Sequence, residues 1–127
     1  MRKQIMNRIT TLFLVCAIIT FGIYTYTGMT GNANVGGYRV FHIASASMEP
    51  VIMTGDFVLT KIVRAEDVRT GDIVVYNLDG IHVIHRIVER TEEGFIFKGD
   101  NNAVIDPEIV SEEQIQYIVV KDFNRKL

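Results

Sequence analysis

The clearest structural signal in the chain is the stretch Asp-Ile-Val-Val-Tyr-Asn-Leu-Asp-Gly-Ile-His-Val-Ile-His-Arg-Ile-Val-Glu, residues 72–89. Residues 72–78 and 81–89 are rich in β-branched side chains, which favour strands. The pair Asp79-Gly80 between them is typical of the two-residue turn of a β-hairpin. The stretch therefore predicts two neighbouring antiparallel strands.

Shorter runs with the same strand-like composition occur on both sides of this hairpin. They are residues 56–63, 94–98 and 115–120. Turn-forming sequences separate the runs, and two of them, Thr54-Gly55-Asp56 and Thr70-Gly71-Asp72, resemble each other. Helical candidates in this part of the chain are short, at residues 64–69 or at residues 107–114 with Ser111 as a cap. These patterns predict a mainly β fold, an antiparallel sheet that coils or forms a partly open barrel.

The N-terminal segment has a different character. Residues 9–26 carry no charge and follow the basic residues Arg2, Lys3 and Arg8. A stretch of this length lies at the short end of what spans a bilayer as a helix. The preceding positive charges predict a cytoplasmic N-terminus and an extracytoplasmic remainder. A cleaved signal peptide shares this pattern, but no clean small-x-small site follows, so an uncleaved anchor is favoured.

These signals divide the chain into five predicted parts. They are a basic cytoplasmic N-terminus at residues 1–8, a transmembrane anchor at 9–27, a juxtamembrane linker at 28–37, a β-rich domain at 38–121 and a polar tail at 122–127. Because the other parts are short or apolar, any chemistry is expected in the β-rich domain.

Composition and charge argue against several functional classes. The formal net charge is −2, and since the first eight residues carry +3, the remainder carries −5. Such a domain lacks the basic face typical of nucleic-acid binding. The single cysteine, Cys16, cannot form an intrachain disulfide. No histidine and carboxylate spacing matches a familiar zinc motif, and no phosphate-binding glycine loop occurs, so no metal or cofactor is predicted.

One short segment could supply a nucleophile. In Ser45-Ala46-Ser47-Met48-Glu49-Pro50, the proline cannot continue a strand, so the segment bends after the second serine. Ser47 could then be exposed to a carbonyl substrate. Ser45 lies two residues earlier, on the same face of an extended segment, where its hydroxyl could stabilise an oxyanion beside the backbone N–H of Ser47. Ordinary loop hydroxyls are the simpler interpretation of the same segment.

A serine nucleophile needs a base. The candidates are three histidines, His42, His82 and His85, or a buried lysine, Lys61 or Lys98. Strand alternation places His82 and His85 on opposite faces, but it does not choose between them.

Two carboxylates near a turn, Asp100 and Asp106, could orient an imidazole. Asp and Asn side chains also form such turns without any catalytic role.

Together these segments resemble the ER-type signal peptidase I family, which includes the SipW-like and archaeal enzymes. The resemblance covers about residues 1–120 and begins with the basic start and single apolar span. The ordered segments that carry it are Ser45-Ala46-Ser47-Met48-Glu49-Pro50, Thr54-Gly55-Asp56, Thr70-Gly71-Asp72-Ile73-Val74-Val75-Tyr76, Val83-Ile84-His85-Arg86-Ile87-Val88 and Lys98-Gly99-Asp100-Asn101-Asn102 with Asp106. The first is similar to the family's Ser-Gly-Ser-Met-Glu-Pro box.

The resemblance implies a membrane-bound serine endopeptidase that removes N-terminal signal peptides from exported preproteins at the outer membrane surface. Ser47 would be the nucleophile, and His85 would be the general base, where the eubacterial-type enzymes use lysine. Asp106 would be the expected partner of His85, Asp100 would support the site, and Ser45 would assist the oxyanion.

The sequence departs from the family pattern beside the nucleophile, because Ala46 stands where glycine is usual. This departure leaves an alternative, a catalytically inactive membrane-tethered β module that binds or scaffolds partner proteins.

Overall fold

The structure is a computed structural model that describes residues 1–30 and 34–124. The chain divides into two compact units, Met1–Ala33 and Asn34–Leu127. Residues 31–33 of the predicted linker and 125–127 of the predicted tail lie outside the described residues.

The first unit is a single helix, α1 (Arg2–Thr30). Its segment Lys3–Tyr26 is long and apolar enough to cross a membrane. Threonines are tolerated there because their hydroxyls bond back to carbonyls of the preceding turn, as Thr10 does to Met6 at 2.8 Å. The predicted apolar helix is confirmed, and it begins earlier than residue 9 because the basic residues before the span are good helix formers.

The second unit is built on one six-stranded sheet in which every pairing is antiparallel. Its strands are β1 (Tyr38–His42), β2 (Phe57–Ile62), β3 (Ile73–Leu78), β4 (Ile81–Arg90), β5 (Phe95–Lys98) and β6 (Ile115–Asp122). Their order is β1-β2-β6-β3-β4-β5, so β1 and β5 are open edges. The rings of Phe41 in β1 and His82 in β4 nevertheless lie 5.3 Å apart. The sheet is therefore coiled but not closed, which confirms the predicted mainly β class.

The Asp79-Gly80 turn sets the register of the central hairpin. Both residues have left-handed backbone angles, φ 50° and 87°, as a type I′ turn requires. Val74 consequently pairs with His85, and Tyr76 pairs with Val83.

Strand β1 was not predicted from the sequence. It has only five residues and directly follows a glycine-rich turn in which Val35 pairs with Tyr38. The predicted helical candidates are single 3-10 turns, Ala65–Asp67 and Glu112–Gln114. At the other end of the domain, Asp122 belongs to β6 and is buried, although it was predicted to begin the tail.

Two apolar clusters pack on opposite faces of the sheet, as strand alternation requires. The first contains Val68, Val74, Tyr76, Ile87, Phe95, Phe97, Val110 and Ile115. The second contains Ile43, Met48, Ile52, Val58 and Ile73. Because Met48 and Ile52 belong to the loop between β1 and β2, this second cluster holds that loop against the sheet.

Candidate active site

Residues 43–56, here called the serine loop, connect β1 to β2 and carry both candidate serines. Hydrogen bonds between the ends of the loop close it, including Ile43 N to the carbonyl of Asp56 at 2.9 Å. The carboxylate of Glu49 accepts from the hydroxyl of Thr54 at 2.9 Å. Met48 is 1% exposed, so the residue after Ser47 is fixed in the core. These contacts hold Ser47 at a defined, half-buried position.

The two serine hydroxyls lie side by side. Their Oγ atoms are 3.3 Å apart, a distance at which either hydroxyl can donate to the other. Ser45 is exposed, whereas Ser47 is half-buried. The spacing of two in the sequence therefore does bring both hydroxyls to one face of the loop.

His85 in β4 contacts Asp106, which lies in the loop that follows β5. Its Nδ1 lies 2.5 Å from Asp106 Oδ2, and both side chains are largely buried. An ionised carboxylate only accepts hydrogen bonds, so a neutral imidazole in this contact carries its proton on Nδ1 and has Nε2 as its acceptor. The pair has the geometry of a base with its orienting group.

Tyr76 donates a second hydrogen bond to the same carboxylate oxygen, Oδ2 of Asp106, at 3.0 Å. Burial, together with the negative charge of Asp106, raises the pKa of the Tyr76 phenol well above its usual range. The phenol therefore stays protonated and fixes the carboxylate that faces His85.

Both the serine pair and His85 line a cavity of about 320 Å³. Its lining residues are Phe41, His42, Ile43, Ala44, Ser45, Ser47, Met48, Ile81, His82, Val83, Ile84 and His85. Within residues 34–124, no direct hydrogen bond joins Ser47 to His85, although both border the same space. Unliganded catalytic pairs often show such loose geometry.

The other candidate bases occupy less suitable positions. His42 and His82 line the cavity, but rings cover part of each: Phe57 lies 4.9 Å from His42, and Phe41 lies 5.3 Å from His82. Burial and the nearby Arg39 lower the pKa of His82. No recorded contact places a carboxylate beside either ring among the described residues. Lys61 and Lys98 are not among the residues that line the cavity.

Asp100 does not contact His85 but forms a bidentate pair with Arg86, with N–O distances of 2.8 and 2.6 Å. Arg86 also donates to the carbonyl of Gly71 at 2.8 Å. The hydrogen bonds that Arg86 donates to Asp100 raise the pKa of the Arg86 guanidinium. Reasoning from the residues left the two acids undivided, and the family resemblance favoured Asp106 as the partner of His85. In the structure Asp106 contacts His85, and Asp100 contacts Arg86.

Residues 99–106, here called the acidic loop, also contact the backbone of the serine loop. The backbone N–H of Asn101 donates to the carbonyl of Ser47 at 2.8 Å. Its side-chain amide donates to the carbonyl of Ala46 at 3.0 Å. A Cβ at Gly99 would lie 2.6 Å from the carbonyl oxygen of Ser47, so only glycine fits there without a shift.

Sequence reasoning did not identify Tyr76 or Arg86 as site residues. The two-residue turn of the hairpin could have indicated that Tyr76 lies near His85. Pairing residue 78 with 81 places Tyr76 and His85 on the same face, in pairs that are two positions apart along the hairpin. No group of three metal-ligating side chains occurs within residues 1–30 and 34–124.

Residues 27–120 match the family model described as peptidase S24-like. Since that region is most of the chain, the chain belongs to this peptidase family. Individual relatives narrow the assignment within the family. This chain is 33% identical to signal peptidase I W of Bacillus subtilis over 83% of this chain and 58% of the relative.

Two fungal relatives carry the name signal peptidase complex catalytic subunit SEC11. The chain is 40% identical to that of Pyricularia oryzae over 63% of this chain and 50% of the relative. It is 34% identical to that of Yarrowia lipolytica over 82% of this chain and 63% of the relative. The predicted ER-type signal peptidase I family is thereby confirmed. The chain spans between half and two thirds of the length of these relatives.

Proposed function

We propose that this chain is a membrane-bound serine endopeptidase that removes N-terminal signal peptides from exported preproteins. The observation that carries the proposal is a serine hydroxyl and a carboxylate-bound imidazole on the wall of one cavity. The relatives named as signal peptidases supply the substrate class.

In the first half of the reaction, Nε2 of His85 takes the proton from Ser47 Oγ as that oxygen attacks the scissile carbonyl. The carbonyl oxygen becomes an oxyanion, which the hydroxyl of Ser45 and the backbone N–H of Ser47 stabilise. The imidazolium then protonates the departing amine when the C–N bond breaks. The mature protein leaves, and the signal peptide stays as an ester on Ser47.

In the second half, His85 removes a proton from water, which attacks the ester carbonyl. The C–O bond to Ser47 breaks, and the proton returns to Ser47 Oγ. Asp106 stabilises the imidazolium that forms twice in the cycle, and Tyr76 holds Asp106 in place.

The apolar helix α1 would anchor the enzyme in the bilayer that also holds the signal peptide. Confinement to one membrane surface raises the effective concentration of enzyme and substrate. The basic residues at the start of the chain favour a cytoplasmic N-terminus and an extracytoplasmic β domain. We take the inactive scaffold as the less favoured alternative, because the named relatives are peptidases.

The test compares the full-length chain in detergent micelles with Ser47→Ala and His85→Ala, on a preprotein that carries an Ala-x-Ala cleavage site. Each variant is expected to lose about 10⁴-fold in kcat or more, since removing one member disables the whole set. Ser111→Ala is the matched control and should retain wild-type turnover, because Ser111 does not line the cavity. Cleavage that survives in both site variants would refute the proposal, and binding without turnover in the wild type would support the scaffold.

A further inference from the structure

Asn101 makes two hydrogen bonds to consecutive carbonyls of the serine loop. Its backbone N–H donates to Ser47 O at 2.8 Å, and its Nδ2 donates to Ala46 O at 3.0 Å. The side-chain contact joins residues 55 positions apart in the chain. The carbonyl of Ala46 also accepts from the backbone N–H of Glu49 at 3.1 Å, so Asn101 supplies the second of its two donors.

The side-chain bond has a consequence for the oxyanion donor. The carbonyl of Ala46 and the N–H of Ser47 belong to one peptide unit, which is planar and trans, so they point in opposite directions. A donor that fixes the carbonyl therefore also fixes the direction of the N–H. That N–H is one of the two groups assigned to the oxyanion.

We propose that Asn101 is a positioning residue that aims the backbone N–H of Ser47 at the oxyanion. This inference rests on the proposed function. Asn101 acts through the peptide unit between residues 46 and 47 and does not itself touch the substrate. The bond goes to a backbone carbonyl, which alanine and glycine offer equally, so Ala46 leaves this contact intact.

The position of Asn101 is itself tied to the strand that carries the base. Asp100, the preceding residue, is held in bidentate fashion by Arg86 at 2.8 and 2.6 Å. Arg86 directly follows His85 in β4. Gly99, which precedes Asp100 in the chain, lies so close to Ser47 O that a Cβ would clash with it. The acidic loop is thus a rigid link from the strand of the base to the peptide of the nucleophile.

The test measures kcat and KM on a peptide substrate with an Ala-x-Ala site, for full-length wild type, Asn101→Ala and Asn101→Asp. Asn101→Asp is close in shape but has no side-chain donor. Since a lost oxyanion donor costs about 10²–10³-fold, a misaimed one should lower kcat by about 10- to 100-fold in both variants. KM should stay within about threefold, because ground-state binding is unchanged.

A peptide aldehyde of the same sequence gives an independent readout. It forms a tetrahedral adduct with Ser47 whose oxygen occupies the oxyanion position, so its affinity should fall by the same factor as kcat. Asn124→Ala is the matched control, because it also removes a side-chain amide bond, to Asp56 at 2.7 Å. It should leave kcat and aldehyde affinity unchanged.

Thermal unfolding identifies which variants are folded, and the test needs only one folded variant of Asn101. Unchanged kcat in it, or a loss in kcat without loss of aldehyde affinity, would overturn the positioning role while leaving the peptidase intact. A wild type that binds the peptide but never cleaves it would instead overturn the proposed function and this inference with it.

Discussion

Replacing Asp106 by asparagine tests the electrostatic part of the proposed mechanism most directly. The substitution keeps the size of the side chain and removes the negative charge that lies beside His85. An amide oxygen facing Nδ1 would keep the hydrogen bond without the charge. An amide NH2 facing Nδ1 would force the other tautomer and leave Nε2 protonated. Both arrangements lower kcat, so asparagine cannot rescue the function of the acid.

The magnitude follows from the geometry of the pair. Nδ1 of His85 and Oδ2 of Asp106 are 2.5 Å apart, and the side chains are only 11% and 13% exposed. Charge centres about 4 Å apart at an effective dielectric constant of about 20 interact by about 4 kcal/mol. This loss of imidazolium stabilisation corresponds to about a 10³-fold lower kcat. The low exposure means that solvent screens the interaction little.

The assay is single-turnover cleavage of a preprotein by the full-length chain, which isolates the chemical step from product release. Tyr76→Phe is the matched control, because it removes a 3.0 Å hydrogen bond to the same oxygen but leaves the charge. Its kcat should fall by about 10- to 150-fold at most and stay above that of Asp106→Asn, since a single hydrogen bond to a charged group contributes about 1.5–3 kcal/mol. A rate for Asp106→Asn within tenfold of wild type, with Ser47→Ala inactive, would refute the reasoning.

Three further outcomes are expected. The phenol pKa of Tyr76 is raised from 10.0 in the folded protein. Its contribution to stability is therefore complete below pH 10 and is lost as the pH rises further. In thermal melts between pH 9 and about pH 11, wild type should lose more stability than Tyr76→Phe. Gly99→Ala should abolish turnover because its Cβ would lie 2.6 Å from Ser47 O, whereas Gly94→Ala, which clashes with a backbone carbonyl elsewhere, should lower the melting temperature but leave the kcat of the folded fraction intact. Arg86→Lys keeps the positive charge but loses the bidentate geometry, and should destabilise the domain by about 1–2 kcal/mol in chemical denaturation; equal stability would show that the ion pair contributes little.

Local patterns in the sequence were sufficient for the apolar helix and for the central hairpin. An uninterrupted apolar run needs no partner to be recognised, and Asp79-Gly80 specifies both a turn and a register. Five of the six strands could be predicted for the same reason. Strand β1 could not, because its five residues adjoin a glycine-rich turn and pair with β2 across the whole serine loop.

By itself, the sequence determined that helix, the mainly β class and a short set of residues able to carry the chemistry. Only the tertiary structure decided that Asp106 rather than Asp100 contacts His85, and that Tyr76 and Asn101 belong to the site. These contacts join residues 21, 30 and 55 positions apart. The period of a helix or a strand does not relate positions so far apart in the chain. Their contacts depend on the paths of the loops, and those paths depend on which side chains the two apolar clusters bury.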